Sequence, residues 1–392
     1  MFDTLDLDRL RRDTPASRDL IHFNNAGASL MPNAVTDALF GHLDLERRIG
    51  GYEAEAAAQM EIEDFYDAFA ELLHCGRDEV AYAESATRAW DMAVYSLPLR
   101  AGDRILTHES EYASNWIALM QLSQRLGVTV DAVPSDASGQ VDVDAMRRMI
   151  TPETRVIALT HVPTHNGLVN PAAEVGALAR EYGLIFVLDA CQSAGQLPLD
   201  VRTLGCHILS GTGRKFLRGP RGTGFLYVEQ SLLAMLEPPF VDMRAAMARP
   251  PGGYELRPDA RRFEAWESSI AGRVGLRAAA RYLIELGVDA VSVRITLLAS
   301  TLRETLASLP GVVVHDRGAV RSGIVTFTVD GEAGEATARR LREQRANVSV
   351  AAPVGAPLDL QIRAIGSAVR ASVHCYNTDE EIARFAALVR GR

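Results

Sequence analysis

The chain has 392 residues, of which 47% are hydrophobic and 23% charged, and its formal net charge is −9. These values are typical of a soluble globular enzyme with two or three domains, and a negative chain without a basic run makes nucleic acid an unexpected partner. The acidic N-terminus lacks a signal peptide's apolar core and no apolar run reaches membrane-spanning length, so we expect a cytoplasmic protein that does not bind membranes.

Strand and helix patterns alternate along the first 228 residues. Continuous apolar runs such as 185–188 indicate strands that are buried on both faces, as in a parallel sheet between two helical layers. The fold class is therefore α/β, and ligands are expected at the carboxyl ends of the strands. Predicted helices cover 57–74, 90–97, 116–126, 143–150 and 172–182. Predicted strands cover 79–82, 104–107, 128–133, 155–160, 184–188, 207–210 and 224–228.

The pattern changes at 236–261, where prolines and glycines interrupt it. A smaller α+β unit is predicted after this stretch. Its predicted helices cover 274–286, 291–309, 336–344 and 379–389, and its predicted strands cover 312–315 and 324–328. We expect a large domain over 20–260 and a small domain that combines 1–19 with 261–392.

Lys215 and Asp189 are the strongest candidates for chemistry. Lys215 lies between two predicted strands, and Asp189 ends the hydrophobic strand at 184–188. A lysine so placed can form a Schiff base with an aldehyde cofactor, and an aspartate facing it can hold a protonated pyridine nitrogen. The pair is the minimal chemistry of pyridoxal 5′-phosphate (PLP). Each residue alone also permits a simpler role, a surface charge for Lys215 and a helix N-cap for Asp189.

Further polar residues suit a bound phosphate. Three of them lie at a strand-to-helix junction, where free backbone N–H groups and the helix dipole attract anions, although a plain N-cap explains them too. Thr212 and Arg214 flank Lys215. Gln192 follows Asp189 by three positions, and its side chain can contact a cofactor oxygen or solvate a turn. These candidates are Ser85, Ala86, Thr87, Thr212, Arg214 and Gln192.

Eight ordered segments resemble the class V aminotransferases of PLP fold type I, in the branch that includes cysteine desulfurase-like and isopenicillin N epimerase-like proteins. The segments are 23–27, 84–87, 109–113, 160–164, 188–192, 212–215, 262–264 and 369–372. The resemblance runs from about His22 to the C-terminus. It implies a large domain with a mostly parallel mixed sheet between helices, a smaller α+β domain, PLP as cofactor, an amino acid as substrate, and a homodimer with shared active sites.

The resemblance also implies a role for each site residue. Lys215 would bind PLP covalently and move the substrate α-proton, with Asp189 at the pyridine nitrogen. Arg370 would hold the substrate carboxylate through its planar guanidinium. Asn24 and Ala26 would lie beside that carboxylate, and Gln192 with Thr164 or Asn166 would lie near the phenolic oxygen of the cofactor. Ala86, Thr87, Thr212 and Arg214 would hold the phosphate, with Ser85 beside them. Ser268 or Ser269 would contact the phosphate in the site of a partner subunit.

The chain departs from desulfurases at two positions. Tyr112 stands where they usually have a histidine that stacks on the cofactor ring, and a tyrosine can still stack there. Residues 350–357 match the loop that carries their nucleophilic cysteine, and this stretch has none. Cys191 and Cys375 are expected to pack in the protein interior. The cysteines have no metal-ligand or disulfide spacing, so we expect no metal and a reducing cytosol.

Without a thiolate to accept sulfur, desulfurase activity is not expected. The leading hypothesis is a C–S β-lyase that cleaves an S-substituted cysteine by α-proton abstraction and β-elimination. The alternatives are an epimerase, a decarboxylase or oxidative deaminase, or an aminotransferase of secondary metabolism, and a PLP-binding scaffold without turnover. Tyr52, His165 and Arg218 could recognise the substrate side chain or be plain residues of the pocket rim.

Overall fold

A computed structural model describes residues 5–355 and 358–391. Its helices are α1 (Leu7–Arg12), α2 (Asn33–Ile49), α3 (Gly51–Ala57), α4 (Gln59–Leu73), α5 (Ala86–Val94), α6 (Ala113–Leu126), α7 (Val143–Met149), α8 (Ala172–Tyr182), α9 (Val201–Leu204), α10 (Ile270–Leu286), α11 (Val288–Ala307), α12 (Gly334–Glu343), α13 (Asp359–Ile362) and α14 (Asp379–Val389).

The strands form one large sheet, one smaller sheet and two short pairs. They are β1 (Ile21–His22), β2 (Val80–Ala83), β3 (Arg104–His108), β4 (Thr129–Val133), β5 (Thr154–Thr160), β6 (Ile185–Asp189), β7 (Ile208–Thr212), β8 (Gly224–Val228), β9 (Ala246–Ala248), β10 (Tyr254–Leu256), β11 (Val312–Val314), β12 (Ile324–Val329), β13 (Ala346–Asn347), β14 (Ser349–Ala351) and β15 (Ala368–Ser372).

The large sheet has seven strands in the order β2-β8-β7-β6-β5-β3-β4. Strand β8 runs antiparallel to both of its neighbours, whereas β3 to β7 pair in parallel. In β6, Phe186 and Leu188 belong to one hydrophobic core and Val187 to another, so successive side chains feed opposite faces of the sheet. Both faces are therefore apolar, which explains the continuous hydrophobic runs of the sequence and confirms the α/β class.

The smaller sheet is antiparallel, with the strand order β11-β12-β15-β14. Its core includes Phe327 from β12 and Phe385 from α14, and Phe23 from the N-terminal segment packs against Phe385. The boundary between a large and a small domain at residue 261 stays a prediction.

The N-terminal segment is held by the C-terminal part of the chain. Strand β1 pairs in parallel with β13, and the Asn25 side chain donates to the carbonyl of Ser372 at 2.7 Å. The Ala26 backbone N–H donates to Ser372 Oγ at 2.8 Å. These bonds place residues 24–27 beside the carboxyl end of β15.

Most of the predicted elements are present, while several short elements and the strands β13 to β15 were not predicted. The helix predicted over 57–74 is α4, and a further helix, α3, precedes it and is separated from it by a bend at Ala58. Helix α2 was not predicted, and its exposed apolar residues blur the helical pattern. The hairpin of β9 and β10 lies inside the Pro/Gly-rich stretch that was expected to be irregular. Within the described ranges, no helix is both long and apolar enough to cross a membrane.

Candidate active site

Asp189 ends β6 and is almost fully buried. Its Oδ2 accepts from Asn115 Nδ2 at 2.8 Å, and its Oδ1 accepts from the backbone N–H of Cys191 at 2.8 Å. The next helix, α9, begins only at Val201, so the N-cap interpretation of Asp189 is wrong. The side chain is instead a fixed carboxylate at the functional edge of the sheet.

Asn115 and Glu111 support Asp189, and sequence reasoning missed both roles. Asn115 Nδ2 also donates to Glu111 Oε1 at 2.9 Å, so one amide group joins two buried carboxylates. Glu111 accepts further from Thr107 Oγ1 at 2.8 Å and from Thr160 Oγ1. Burial raises the pKa of Glu111 above its ordinary value, although these hydrogen bonds oppose the rise. The i,i+4 spacing of Glu111 and Asn115 at a helix start was the available signal.

Lys215 follows β7 and is 9% exposed. The preceding turn needs glycine at 213, because a Cβ there would lie 2.2 Å from Thr223 Oγ1. Burial lowers the pKa of the Lys215 ammonium, and although Cys191 and Asp189 raise it, Arg214 lowers it further. The amine is thus shifted toward its neutral form, as a proton acceptor requires.

A pocket of about 240 Å³ opens onto Lys215. Its lining is Ala26, Gly27, Tyr112, Thr164, His165, Arg214, Lys215, Val350, Ala351, Ala352, Val354, Gly355 and Arg370. Three of these side chains, Arg214, Lys215 and Arg370, are basic, and none is a carboxylate. A small pocket with these basic side chains favours an anionic ligand. Ala356 and Pro357 of the predicted loop lie outside the described residues.

Arg370 on β15 reaches the pocket from the smaller sheet. Its Nη1 donates to the carbonyl of Thr164 at 3.1 Å and to Thr164 Oγ1, while its Nε has no partner among the described residues. Burial, and then the charge of Arg214, lower the pKa of Arg370 to about 10. Two guanidinium groups held close together need a counter-anion between them.

Tyr112 also lines the pocket, with its ring centroid 5.9 Å from Lys215 Nζ. Gln192 Nε2 donates to the carbonyl of Ala26 at 3.0 Å and to Thr164 Oγ1 at 2.9 Å. Its Oε1 and the Oδ1 of Asn24 are buried with no partner in the described part of the chain. Such unpartnered atoms fit a polar ligand that completes the site.

The phosphate candidates meet at one edge of the large sheet. Thr212 on β7 and Ala83 on β2 both pair with Gly224, and a Cβ on Gly224 would lie 2.8 Å from the Ala86 backbone N. The predicted phosphate-binding residues Ser85, Ala86 and Thr87 are therefore close to Thr212. Ser85 is also the N-cap of α5, since its Oγ accepts from the Arg88 N–H at 3.1 Å.

Tyr52 and Ser268 do not reach this pocket within one chain. Both line a separate cleft of about 660 Å³, together with Trp266 and Arg273. Ser268 Oγ there accepts from Arg273 Nη2 at 3.3 Å, and Tyr52 is 75% exposed. Their expected cofactor and substrate contacts stay predictions that need a second subunit.

Arg218 is not at the pocket mouth, where it was expected. It is buried, its Nε donates to the carbonyl of Leu30 at 2.9 Å, and its guanidinium lies 4.6 Å from the Tyr376 ring centroid. It joins the N-terminal segment to the C-terminal part of the chain.

Asn166 points away from the pocket, since its Nδ2 donates to Ser110 Oγ at 3.4 Å. Thr164, which accepts from Gln192, is therefore the better of the two predicted neighbours of Gln192.

Comparisons with known proteins agree with this geometry. The family model "Aminotransferase class-V" matches residues 21–385. A probable cysteine desulfurase of Xylella fastidiosa is 31% identical over 99% of this chain and 96% of that protein. One of Methanothermobacter thermautotrophicus is 28% identical over 95% of this chain and 94% of that protein.

Solved structures give the same result. The apo cysteine desulfurase of Thermococcus onnurineus NA1 superposes with a TM-score of 0.92 and 26% identity, covering 99% of this chain and 98% of that chain. The cystine C–S lyase C-DES in complex with its product cysteine persulfide gives a TM-score of 0.87 at 25% identity, covering 96% of this chain and 99% of that chain.

Proposed function

The chain belongs to the class V aminotransferase family of PLP-dependent enzymes, and we propose that its reaction is β-elimination from an S-substituted cysteine. The substrate would be an amino acid whose sulfur carries an organic group. The products would be a thiol, pyruvate and ammonia. The fold and the cofactor are those of the family, whereas the bond that is broken is our inference.

One observation carries this proposal. Residues Val350–Ala352, Val354 and Gly355 form a wall of the pocket, and this wall has no cysteine. The nearest thiol to Lys215 is that of Cys191, whose pKa is raised well above its ordinary value by burial and by Asp189. The site therefore has the desulfurase-like frame without a thiolate to accept sulfur, and the sulfur would leave with its organic group.

The residues present fit PLP. The pocket combines the guanidinium groups of Arg214 and Arg370 with an unpartnered Arg370 Nε, and the unpartnered Oε1 of Gln192 lies beside it among the described residues. A phosphorylated cofactor with a carboxylate substrate supplies anions and donors that fit these groups. PLP, when bound, supplies an electron sink for a carbanion at Cα. Asp189 would hold the ring nitrogen. Ala86, Thr87, Thr212 and Arg214 would hold the phosphate.

The chain's own groups then divide the work. Lys215, with its pKa lowered by burial, takes the α-proton. Arg370 would orient the substrate by its carboxylate, and Tyr112 would stack on the cofactor ring. The wall at 350–355 presents apolar side chains and backbone to the pocket.

We also propose that the enzyme is a homodimer. Leu43, Tyr52 and Trp266 line the second cleft, and each of them is at least 45% exposed. A second copy that covers this cleft would bury these apolar groups and bring Ser268 toward the pocket of its partner. Size-exclusion chromatography with light scattering gives the mass in solution. Trp266→Glu is expected to yield monomers, and a monomeric wild type would contradict the proposal.

The reaction is tested with the purified holoenzyme and a panel of S-alkyl and S-aryl cysteines, with assays for pyruvate and free thiol. Lys215→Ala is the control, and borohydride should no longer fix the cofactor to this variant in mass spectrometry. Absence of thiol release across the panel would refute the lyase. Exchange at Cα without pyruvate would indicate an epimerase, release of CO₂ a decarboxylase, and a keto acid that retains the sulfur an aminotransferase.

A further inference from the structure

One pair of buried residues at the pocket has no part in the chemistry above. His165 lines the pocket, and its Nε2 lies 2.9 Å from Oδ2 of Asp359, at the first position of α13. Each of the two side chains is 3% exposed. Both hydrogen-bond contacts of the imidazole in the described part of the chain are made by Nε2, to Asp359 and, at 3.4 Å, to Asn166. Nδ1 is therefore the ring nitrogen that is available to a ligand in the pocket.

Asp359 is held as an ionised carboxylate. Burial by itself would raise its pKa, but the hydrogen bond from His165 and the charges of His165 and Arg363 lower it to about 2. Arg363 Nη1 lies 3.3 Å from Oδ2, and Arg317 Nη1 lies 3.8 Å from Oδ1. An ionised acceptor at Nε2 fixes a proton on that nitrogen, which leaves Nδ1 as the ring nitrogen that can meet a ligand.

The elimination needs an acid that the other pocket residues do not supply. Lys215 takes the α-proton and Arg370 holds the carboxylate. A departing alkyl thiolate is a strong base and leaves slowly unless it is protonated as the bond breaks. The wall at 350–355 offers only apolar side chains and backbone, so the remaining candidates in the lining are His165 and Tyr112.

We propose that His165, oriented by Asp359, is the general acid that protonates the leaving sulfur; the inference rests on the lyase function proposed above. The Cα–H pair becomes the Cα–Cβ π bond as Lys215 takes the proton. The Cβ–S pair moves to sulfur, which takes the proton from Nδ1 of His165 and leaves as a neutral thiol. His165 then recovers a proton from water. The step is redox-neutral and needs no further reactant.

The origin of the pair strengthens the assignment. Asp359 belongs to the same segment, 349–363, whose first half forms the apolar wall of the pocket. Residues 350–357 resemble the loop that carries the sulfur acceptor of desulfurases, and Asp359 follows this loop by two positions. The segment that lacks the nucleophile thus supplies the carboxylate that orients the proposed acid, His165.

The experiment measures kcat/KM of the holoenzyme for S-substituted cysteines that range from S-ethyl to S-(4-nitrophenyl). The variants are His165→Asn, His165→Gln and Asp359→Asn, with His74→Asn as a control on the exposed end of α4. For S-ethylcysteine we expect His165→Asn to lose about 100-fold or more, since general acids contribute roughly 10²–10⁴-fold. For the nitrophenyl compound, whose thiolate needs no proton, the loss should stay below about fivefold.

A separate measurement follows α-hydrogen exchange of alanine in deuterated water, which needs Lys215 but no leaving group. His165→Asn should exchange within about twofold of wild type, and Asp359→Asn should show the same leaving-group dependence with a smaller loss. Equal losses across the series, or a leaving-group dependence that appears in Tyr112→Phe instead, would overturn the assignment of His165 alone. If wild type releases no thiol at all, the lyase function fails and the assignment fails with it.

Discussion

Glu264, at the end of the Phe-Glu segment singled out in the sequence, should be among the costliest single positions in the protein. Its carboxylate is fully buried and accepts from Tyr66 Oη at 2.7 Å, from the Tyr82 backbone N–H at 2.9 Å and from Arg244 Nε at 2.9 Å. Arg273 Nη2 lies 3.6 Å away, and its side chain is only 4% exposed. Two guanidinium groups thus depend on one negative charge.

Glu264→Gln keeps the shape of the side chain and removes that charge. The amide can still accept from Tyr66 and Tyr82, but its NH₂ group faces the Arg244 donors. Breaking a buried ion pair from one side costs about 3–5 kcal/mol, because the remaining charge stays buried. Arg244, with 26% of its side chain exposed, keeps some water, so most of the cost comes from Arg273. A loss of about 4 kcal/mol lowers the ratio of folded to unfolded protein about 1,000-fold.

The assay is urea unfolding of the holoenzyme at one fixed protein concentration, followed by circular dichroism. Glu63→Gln is the matched control: Glu63 pairs with Arg261 at 2.8 Å and Arg77 at 2.9 Å, but its side chain is 33% exposed. We expect it to cost less than about 1 kcal/mol. If the two variants differ by less than about 1 kcal/mol, the cluster is held by its shape and hydrogen bonds, and the electrostatic reasoning is refuted.

Three further predictions follow from the site and its surroundings. Arg370→Lys should raise KM about 10–100-fold with a smaller change in kcat, because an ammonium cannot form the two parallel bonds of a guanidinium; an unchanged KM would contradict its role. Burial lowers the pKa of His161 to about 4 and that of His374 to about 3, so the folded state favours their neutral forms. The free energy of unfolding should therefore be highest above about pH 6.5 and fall below it by up to about 1.4 kcal/mol per pH unit for each, and His161→Gln should flatten the measured slope. Burial raises the pKa of Cys75 to about 12 and the pKa of Cys375 to about 11. It also raises the pKa values of Cys191 and Cys206. No thiol should react quickly with Ellman's reagent before denaturation, and a fast-reacting thiol would contradict elimination without an enzyme nucleophile.

The sequence predicts the large sheet well because its strands are buried on both faces. Residues 185–189 show this, since their apolar run depends on nothing outside the strand and its two cores. Helix α2 escaped prediction because only Val35 and His42 are buried in it, while Phe40 is 63% exposed. A face that is left uncovered in one chain weakens the periodic pattern by which a helix is recognised.

Prediction of the site divides in the same way. Asp189 and Lys215 follow strands, so local pattern and family resemblance were enough to find them. The pair of His165 and Asp359 joins positions 194 residues apart, and neither residue stands in a periodic pattern that points to the other. Arg218 was misplaced for a related reason, because its partners Thr14 and Tyr376 come from the two ends of the chain.

The pairing of the two chain ends determines when the enzyme can first become active in a cell. Asn25 is held by Ser372, 347 positions later, and the pocket residue Ala26 is held by the same serine. At a synthesis rate of about 5–20 residues per second, these partners leave the ribosome roughly 20–70 s apart. Through that interval the nascent chain can form β2 to β8, but it has neither Arg370 nor the anchored residues 24–27. Completion of the substrate side of the pocket is therefore a post-translational event, and a chain truncated before β15 should fold its large sheet without acquiring activity.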